Sequence, residues 1–309
     1  MNIKAAIDCV RFPTVLPNAA GLINGVLLAA AEGSFDPLTG LLVVLTGCLV
    51  SNLSSVADEL GDFLHGNDTA DYEVSELAPK HPLAKGRITV PQVKGILITF
   101  LVLSCAVGLL TVRRAFGTLF ALLPLAMIGL GALCIVGALR YTLGKNPYGY
   151  RGLGDPAVFI LCGPILVFGA YFACKGGTPP FDWRVILPAI SHGIFISVML
   201  NINNIRDIEK DRATRKTIAI RLGERRARIY GVTLIALSMT APLIYTLVFP
   251  TFTPLNLLYL LSYPFFILAQ YGTLRYRGAK INLCFAFNVT GALLFGILHG
   301  LGYYLPTVL

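Results

Sequence analysis

Apolar runs about 20 residues long, the length at which a helix crosses the roughly 30 Å hydrocarbon layer of a bilayer, recur along this chain and constrain it more than any other feature. They fall at roughly 14–31, 38–57, 92–112, 117–139, 155–174, 185–205, 229–249, 254–273 and 281–305. Inside hydrocarbon every backbone polar group must find its partner within the segment, so each run is expected to be a helix. Composition agrees. Of 309 residues, 55% are hydrophobic and 13% charged, with a mean hydropathy of +0.72, whereas an average soluble domain carries about 25% charged residues. The expected fold class is an all-α polytopic membrane protein with nine transmembrane helices, and a large soluble helical core is disfavoured.

Cations set the expected orientation, because Lys and Arg concentrate on the cytoplasmic side. With the N-terminus placed inside, all of the 25 Lys and Arg except Arg113, Arg114, Lys175 and Arg184 fall on inner segments. This predicts an N-in, C-out topology. It also accounts for the net charge of +9 without a nucleic-acid partner, and no protein partner is inferred. Lys4, Asp8 and Arg11 precede the first apolar run, so no cleavable signal peptide is expected. The seven Cys are scattered without CxxC spacing, and His65, His81, His192 and His299 form no ligand motif. His192 and His299 read as intrahelical residues.

Two acid clusters break the apolar pattern, one after the second run and one after the sixth. In "NINNIRDIEKDRATRKT" (201–217), Asn203, Asp207 and Asp211 are spaced by four, which places them on one helical face. In "DELGD" (58–62), Asp58 and Asp62 are spaced by four, while Glu59 and Asp62 are spaced by three. Hard oxygen ligands without His or Cys point to Mg²⁺, which keeps waters and bridges to substrate phosphates. The clusters lie four spans apart. The chain therefore reads as one domain, 1–309, with related four-helix halves at about 14–139 and 155–273 and a ninth helix at about 281–305. Sites of such repeats often lie at the repeat interface.

Cations and tyrosines accompany the acids. Arg206, Arg212, Arg215 and Lys216 flank the second cluster, and "RYTLGKNPYGYRGLGDP" (140–156) interleaves Arg140, Lys145 and Arg151 with Tyr141, Tyr148 and Tyr150. Guanidinium and ammonium groups neutralise diphosphate oxygens, and tyrosine faces stabilise a developing allylic cation. The same tyrosines would serve as an interfacial aromatic belt, and the basic loop as a topological anchor. An ion-coupled transporter is the alternative from another class; it expects acids at the bilayer midplane, not at span ends beside cations.

"NNIRDIEKDRATRKTIAIRLG" (203–223) resembles the second aspartate-rich motif of UbiA-superfamily intramembrane prenyltransferases, and within them the 1,4-dihydroxy-2-naphthoate polyprenyltransferases of menaquinone synthesis. "YTLGKNPYGYRGLGD" (141–155), "RFPTVLP" (11–17), "GDFLHGNDTAD" (61–71) and "GRIT" (86–89) are similar to further segments of that subgroup. The last three spans match only as hydrophobic helices. "DELGD" departs from the usual NDxxD, and "APKHPLAKGR" (78–87) replaces a GPxR-type segment, with Lys80, Lys85 or Arg87 as stand-ins.

The resemblance implies nine helices around a central cavity, capped by two polar loops on the cytoplasmic side of a bacterial inner membrane. Asp58, Glu59, Asp62, Asn203, Asp207 and Asp211 would hold Mg²⁺ against a polyprenyl diphosphate. Lys145, Arg151, Lys216 and Arg215 would contact the diphosphate. The implied reaction transfers the prenyl group to 1,4-dihydroxy-2-naphthoate with loss of CO₂. Another aromatic acceptor, 4-hydroxybenzoate or homogentisate, is the alternative.

Overall fold

The computed structural model describes residues 2–68 and 81–309, and every regular element among them is helical. Helix α1 (Ile3–Val10) and α2 (Val15–Ala31) are bent by 54° where they meet. Arg11 caps α1 in the left-handed region at φ 50°, and Pro13 follows. A left-handed residue ends a right-handed helix, and a 3₁₀ turn (Phe12–Thr14) leads on into α2, so the chain turns here. Next come α3 (Pro37–Leu64), α4 (Val90–Phe116) and α5 (Leu122–Thr142).

The fifth span runs through α6 (Gly154–Ile160), a π-helical stretch (Leu161–Phe168) and α7 (Gly169–Cys174). Pro164 sits inside the π stretch; lacking an N–H and crowding the preceding turn, it favours the wider winding. Helix α8 (Ile186–Arg206) leads into the short α9 (Ile208–Asp211) and α10 (Ile218–Leu222). The chain ends with α11 (Glu224–Val248), a 3₁₀ stretch (Pro254–Ser262) running into α12 (Tyr263–Arg275), and α13 (Ile281–Tyr304). Eight of these helices are long and apolar enough to cross a membrane, or nine with the bent α1–α2 pair. That range includes the nine spans expected from hydropathy.

The bundle has a packed side and a hollow side. On the packed side, Phe195 of α8 stacks on Phe266 of α12 at 3.9 Å and meets Phe295 of α13 edge-on at 4.9 Å. Buried amides bind helices together there. Asn288 donates to the Phe195 carbonyl (2.9 Å), Asn201 to the Ala227 carbonyl (3.0 Å), and Asn24 of α2 meets His299 of α13 at 3.0 Å. Such bonds between membrane helices average about 0.6 kcal/mol each. On the hollow side, the apolar windows of α4 and α5 are each only 11% buried, against 72% for the span that contains α8, so their outer faces are left for lipid.

The two sides join where glycines let helices touch. A Cβ on Gly163 would lie 2.6 Å from the Gly193 Cα, and one on Gly193 would strike the Phe159 carbonyl oxygen. Small residues permit this backbone approach. Gly163→Leu is expected to force the π stretch and α8 apart at a cost of about 1–3 kcal/mol or more, measured as a lower Tm in detergent. Gly129→Leu, at a position with open space around it, should leave Tm unchanged.

Candidate active site

The hollow side encloses a cavity of about 630 Å³. Its lining residues all lie between Arg11 and Arg215; α11, α12 and α13 contribute none among the described residues. Most of the wall is apolar, including Leu22, Val43, Leu109, Met127, Ile165 and Met199. Charge is gathered in the segments at the polar ends of α3 and α8, where Asp58, Asp62, Asp68, Asp207, Asp211, Arg11, Lys210 and Arg215 face the same space.

Helix α3 supplies the first acids. Asp58 and Asp62, one turn apart, both line the cavity, and Asp58 Oδ1 accepts from the Thr142 hydroxyl at 3.2 Å. Glu59 is placed apart from Asp58 and Asp62, off the cavity lining. The helix turns about 100° between neighbours, which points Glu59 away from the cavity lining. It is 1% exposed, with one oxygen accepting from Arg11 Nη2 (3.1 Å) and the other from the Leu83 N–H (3.0 Å).

The second motif keeps its spacing across a break. Helix α8 stops at Arg206, and Asp207 takes a non-helical ψ of 10° before α9 begins. Nevertheless the Asp207 N–H donates to the Asn203 carbonyl (3.0 Å) and the Asp211 N–H to the Asp207 carbonyl (2.8 Å). The four-residue repeat therefore survives, and Asn203, Asp207 and Asp211 all line the cavity. Arg206 forks onto both Asp207 oxygens (2.8 and 2.6 Å) and reaches Asn282 of α13 (2.7 Å).

Arg215 joins the two motifs. Its guanidinium donates to Asp62 Oδ1, lies 3.8 Å from Asp211 Oδ1, and covers the Tyr150 ring at 4.5 Å. The Asn67 amide, oriented with its nitrogen toward Thr214 (2.6 Å) and Asp211 (3.3 Å), accepts from Arg215 at 2.9 Å. Burial by itself would lower the Arg215 pKa, but Asp62 and Asp211 reverse this and hold it above its usual value. Burial raises the Asp211 pKa, with Arg215 opposing.

The tyrosines divide. Tyr141 and Tyr148 line the cavity and meet edge-on at 5.4 Å, with the Tyr148 hydroxyl donating to the Gly137 carbonyl at 2.7 Å. Tyr150 lies behind the lining and donates to Asp62 at 2.6 Å. Burial, then the neighbouring Asp62 charge, raises its pKa, so it remains a hydroxyl donor.

The cations expected to meet the diphosphate also divide. Arg215 faces the cavity, whereas Lys145, Arg151 and Lys216 are solvent-exposed and lie off its wall. Their loops are stitched together through the backbone, Lys216 N–H to the Tyr150 carbonyl (2.8 Å) and Arg221 Nη2 to the Arg151 carbonyl (2.6 Å). Arg87 is spent on Asp8 of α1 (2.9 Å), Lys85 is off the wall, and Lys80 and residues 69–71 lie outside the described residues. In their place the structure supplies Arg11, Asn67, Asp68, His81, Arg206 and Lys210. Arg206 is among the cations that flank the second acid cluster in the sequence, and Arg11, Asn67, Asp68, His81 and Lys210 lie inside the quoted segments, the signal by which they could have been found.

Comparison with known proteins agrees with this arrangement. The UbiA prenyltransferase family model matches residues 16–305. The chain is 36% identical to a 1,4-dihydroxy-2-naphthoate octaprenyltransferase of Escherichia coli (strain K12), over 98% of this chain and 96% of that one. Its fold is similar to the apo structure of a UbiA homolog from Aeropyrum pernix K1 (TM-score 0.67, 15% identity, 95% of this chain and 97% of that one). It is also similar to a UbiA homolog from Archaeoglobus fulgidus bound to DMAPP and Mg²⁺ (TM-score 0.60, 20% identity, 97% and 96%). A helical bundle with two acid motifs on one cavity, matched over nearly its whole length, is thus assigned: the chain belongs to the UbiA prenyltransferase family.

Proposed function

We propose that this enzyme transfers a polyprenyl group from an all-trans polyprenyl diphosphate to 1,4-dihydroxy-2-naphthoate, releasing diphosphate and CO₂ and forming demethylmenaquinol. The convergence of two acid motifs, from the second and sixth spans, on the polar end of an otherwise apolar cavity carries the reading. The relatives named as 1,4-dihydroxy-2-naphthoate octaprenyltransferases support the choice of acceptor.

Asp58, Asp62, Asn203, Asp207 and Asp211 present oxygen alone, a donor set that fits Mg²⁺. Glu59 is assigned instead to holding Arg11. Bound Mg²⁺ would neutralise diphosphate charge and so ease departure of the diphosphate. Arg206, Lys210 and Arg215 line the same end and supply fixed positive charge to the leaving group. Lys145, Arg151 and Lys216 sit outside and gather the anion toward the mouth. Tyr141 and Tyr148 offer ring faces to the allylic cation. The apolar wall takes the prenyl chain and excludes water that would capture the cation. The cation-rich loops lie at the polar end, which supports placing this mouth on the cytoplasmic side of a bacterial inner membrane, N-in and C-out. The two four-helix halves would then each give one acid motif.

Purified enzyme given a prenyl diphosphate, Mg²⁺ and a mixture of aromatic acceptors should yield a decarboxylated prenyl naphthalenediol by mass spectrometry. Prenylated 4-hydroxybenzoate or homogentisate as the main product would contradict the acceptor. Chelation of divalent metal should abolish turnover, and Mg²⁺ should restore it. Arg215→Ala should lower kcat/KM for the prenyl diphosphate by about 100-fold, the scale for losing one charge-stabilising donor. Arg212→Ala, which breaks an exposed pair with Glu209, should change it by less than about threefold.

A further inference from the structure

The cavity has a second polar wall beside the diphosphate end, and Lys210 belongs to both. His81 Nδ1 lies 2.6 Å from Asp68 Oδ2, and Asp68 Oδ1 accepts from Lys210 Nζ at 2.7 Å. Arg11 Nη2 stands 3.1 Å from Glu59 and 3.9 Å from Asp68. Arg11, Asp68, His81 and Lys210 all line the cavity, and Arg11 Nε is a buried donor with no hydrogen-bond partner. Glu59, Asp68 and His81 place ligand atoms within 4.8 Å of one another. Arg11, Lys210 and the Leu83 N–H already occupy those carboxylates, so the cluster is electrically closed and does not call for a cation.

We propose that His81 is a catalytic residue that takes the ring hydroxyl proton of the aromatic acceptor, with Asp68 as the residue that positions it and Arg11 facing the acceptor carboxylate. This rests on the reading of the acceptor as a hydroxylated aromatic carboxylate. An ionised Asp68 accepts from Nδ1–H, which leaves Nε2 as the basic nitrogen of a residue on the cavity wall. The Asp68 charge also stabilises the imidazolium once formed, as a carboxylate does beside any catalytic imidazole. Although burial opposes it, the His81 hydrogen bond and the charges of His81, Arg11 and Lys210 hold the Asp68 pKa below its ordinary value. Ionised Asp68 is therefore the favoured form beside His81.

The step balances. The allylic C–O bond breaks and diphosphate keeps its electron pair. The ring carbon bearing the carboxylate forms the new C–C bond as the adjacent hydroxyl gives its proton to His81 Nε2 and becomes a carbonyl. The resulting β-keto carboxylate loses CO₂; the freed electron pair restores the aromatic ring, and the proton returns from His81 to the oxygen.

Among the described residues, Asp68 and Glu59 stand beside His81, and Arg11 and Lys210 pair with those acids. His81→Gln should lower kcat by about 100-fold or more, the scale of general acid–base catalysis, and should erase the acid limb of the kcat profile. The Kd for prenyl diphosphate with Mg²⁺ should stay within about threefold, which also reports that the variant is folded. Asp68→Asn keeps the imidazole but removes its anion; it should lower kcat and move the acid limb to lower pH. A His81→Gln enzyme with wild-type kcat and an unchanged acid limb overturns the proposal, as does an Asp68→Asn enzyme whose limb does not move. If the wild-type enzyme prenylates a different hydroxylated aromatic, the choice of acceptor fails, and the same comparison on that substrate still decides the role of His81.

Discussion

The site depends on holding acids from two distant spans against one cavity without mutual repulsion. Two carboxylates 4 Å apart repel by about 4 kcal/mol at an effective dielectric of 20, enough to splay the loops that carry them. Arg215 removes much of this cost by lying between Asp62 and Asp211, with Asn67 and Tyr150 completing its surroundings. Arg206 does the same for Asp207, and Arg11 for Glu59. Each cation is itself nearly buried, so removing either partner would strand a charge, the costly case for buried pairs. The acids and cations thus require one another, and an anionic substrate with its metal ions enters a field that is already almost balanced.

This arrangement explains the asymmetry of the bundle. Helices α8 and α11–α13 pack around Phe195, Phe266, Tyr259 and Phe295 into a solid wall, and buried amides fix its register. Helices α2–α8 line the hollow, and α4 and α5 show lipid most of their surface. A rigid wall carries the second acid motif at the end of α8, while the thinner wall leaves an apolar space sized for a hydrocarbon chain. Among the described residues α11–α13 are absent from the lining, although the family match runs through them to residue 305, so their part is to build the solid wall.

Much of this was legible in the sequence because it depends on local spacing. Hydropathy located the spans, and i, i+4 spacing put Asp58 with Asp62 and aligned Asn203, Asp207 and Asp211, even across the break at Asp207. Local spacing also implies that Glu59, one position on, leaves the Asp58 face, although its chemistry alone made it a metal candidate. What could not be read was pairing between segments. Arg11 meets Glu59 across 48 positions, and Arg215 meets Asp62 across 153; such contacts follow from how spans pack and not from any pattern within them. For the same reason Lys145, Arg151 and Lys216, which carry the right charge in the right loops, end up facing solvent. Asp68 and His81 each lie inside a quoted segment, but their pairing had no sequence signal, because only the fold brings the two together.

The central claim is that both acid motifs build one divalent-metal site with the diphosphate. Mn²⁺ binding followed by electron paramagnetic resonance, with a non-hydrolysable prenyl diphosphate analogue present, tests it most directly. The account predicts that Asp62→Asn and Asp207→Asn each weaken the analogue-dependent Mn²⁺ uptake by about tenfold or more. Uptake that is unchanged by either substitution would contradict it.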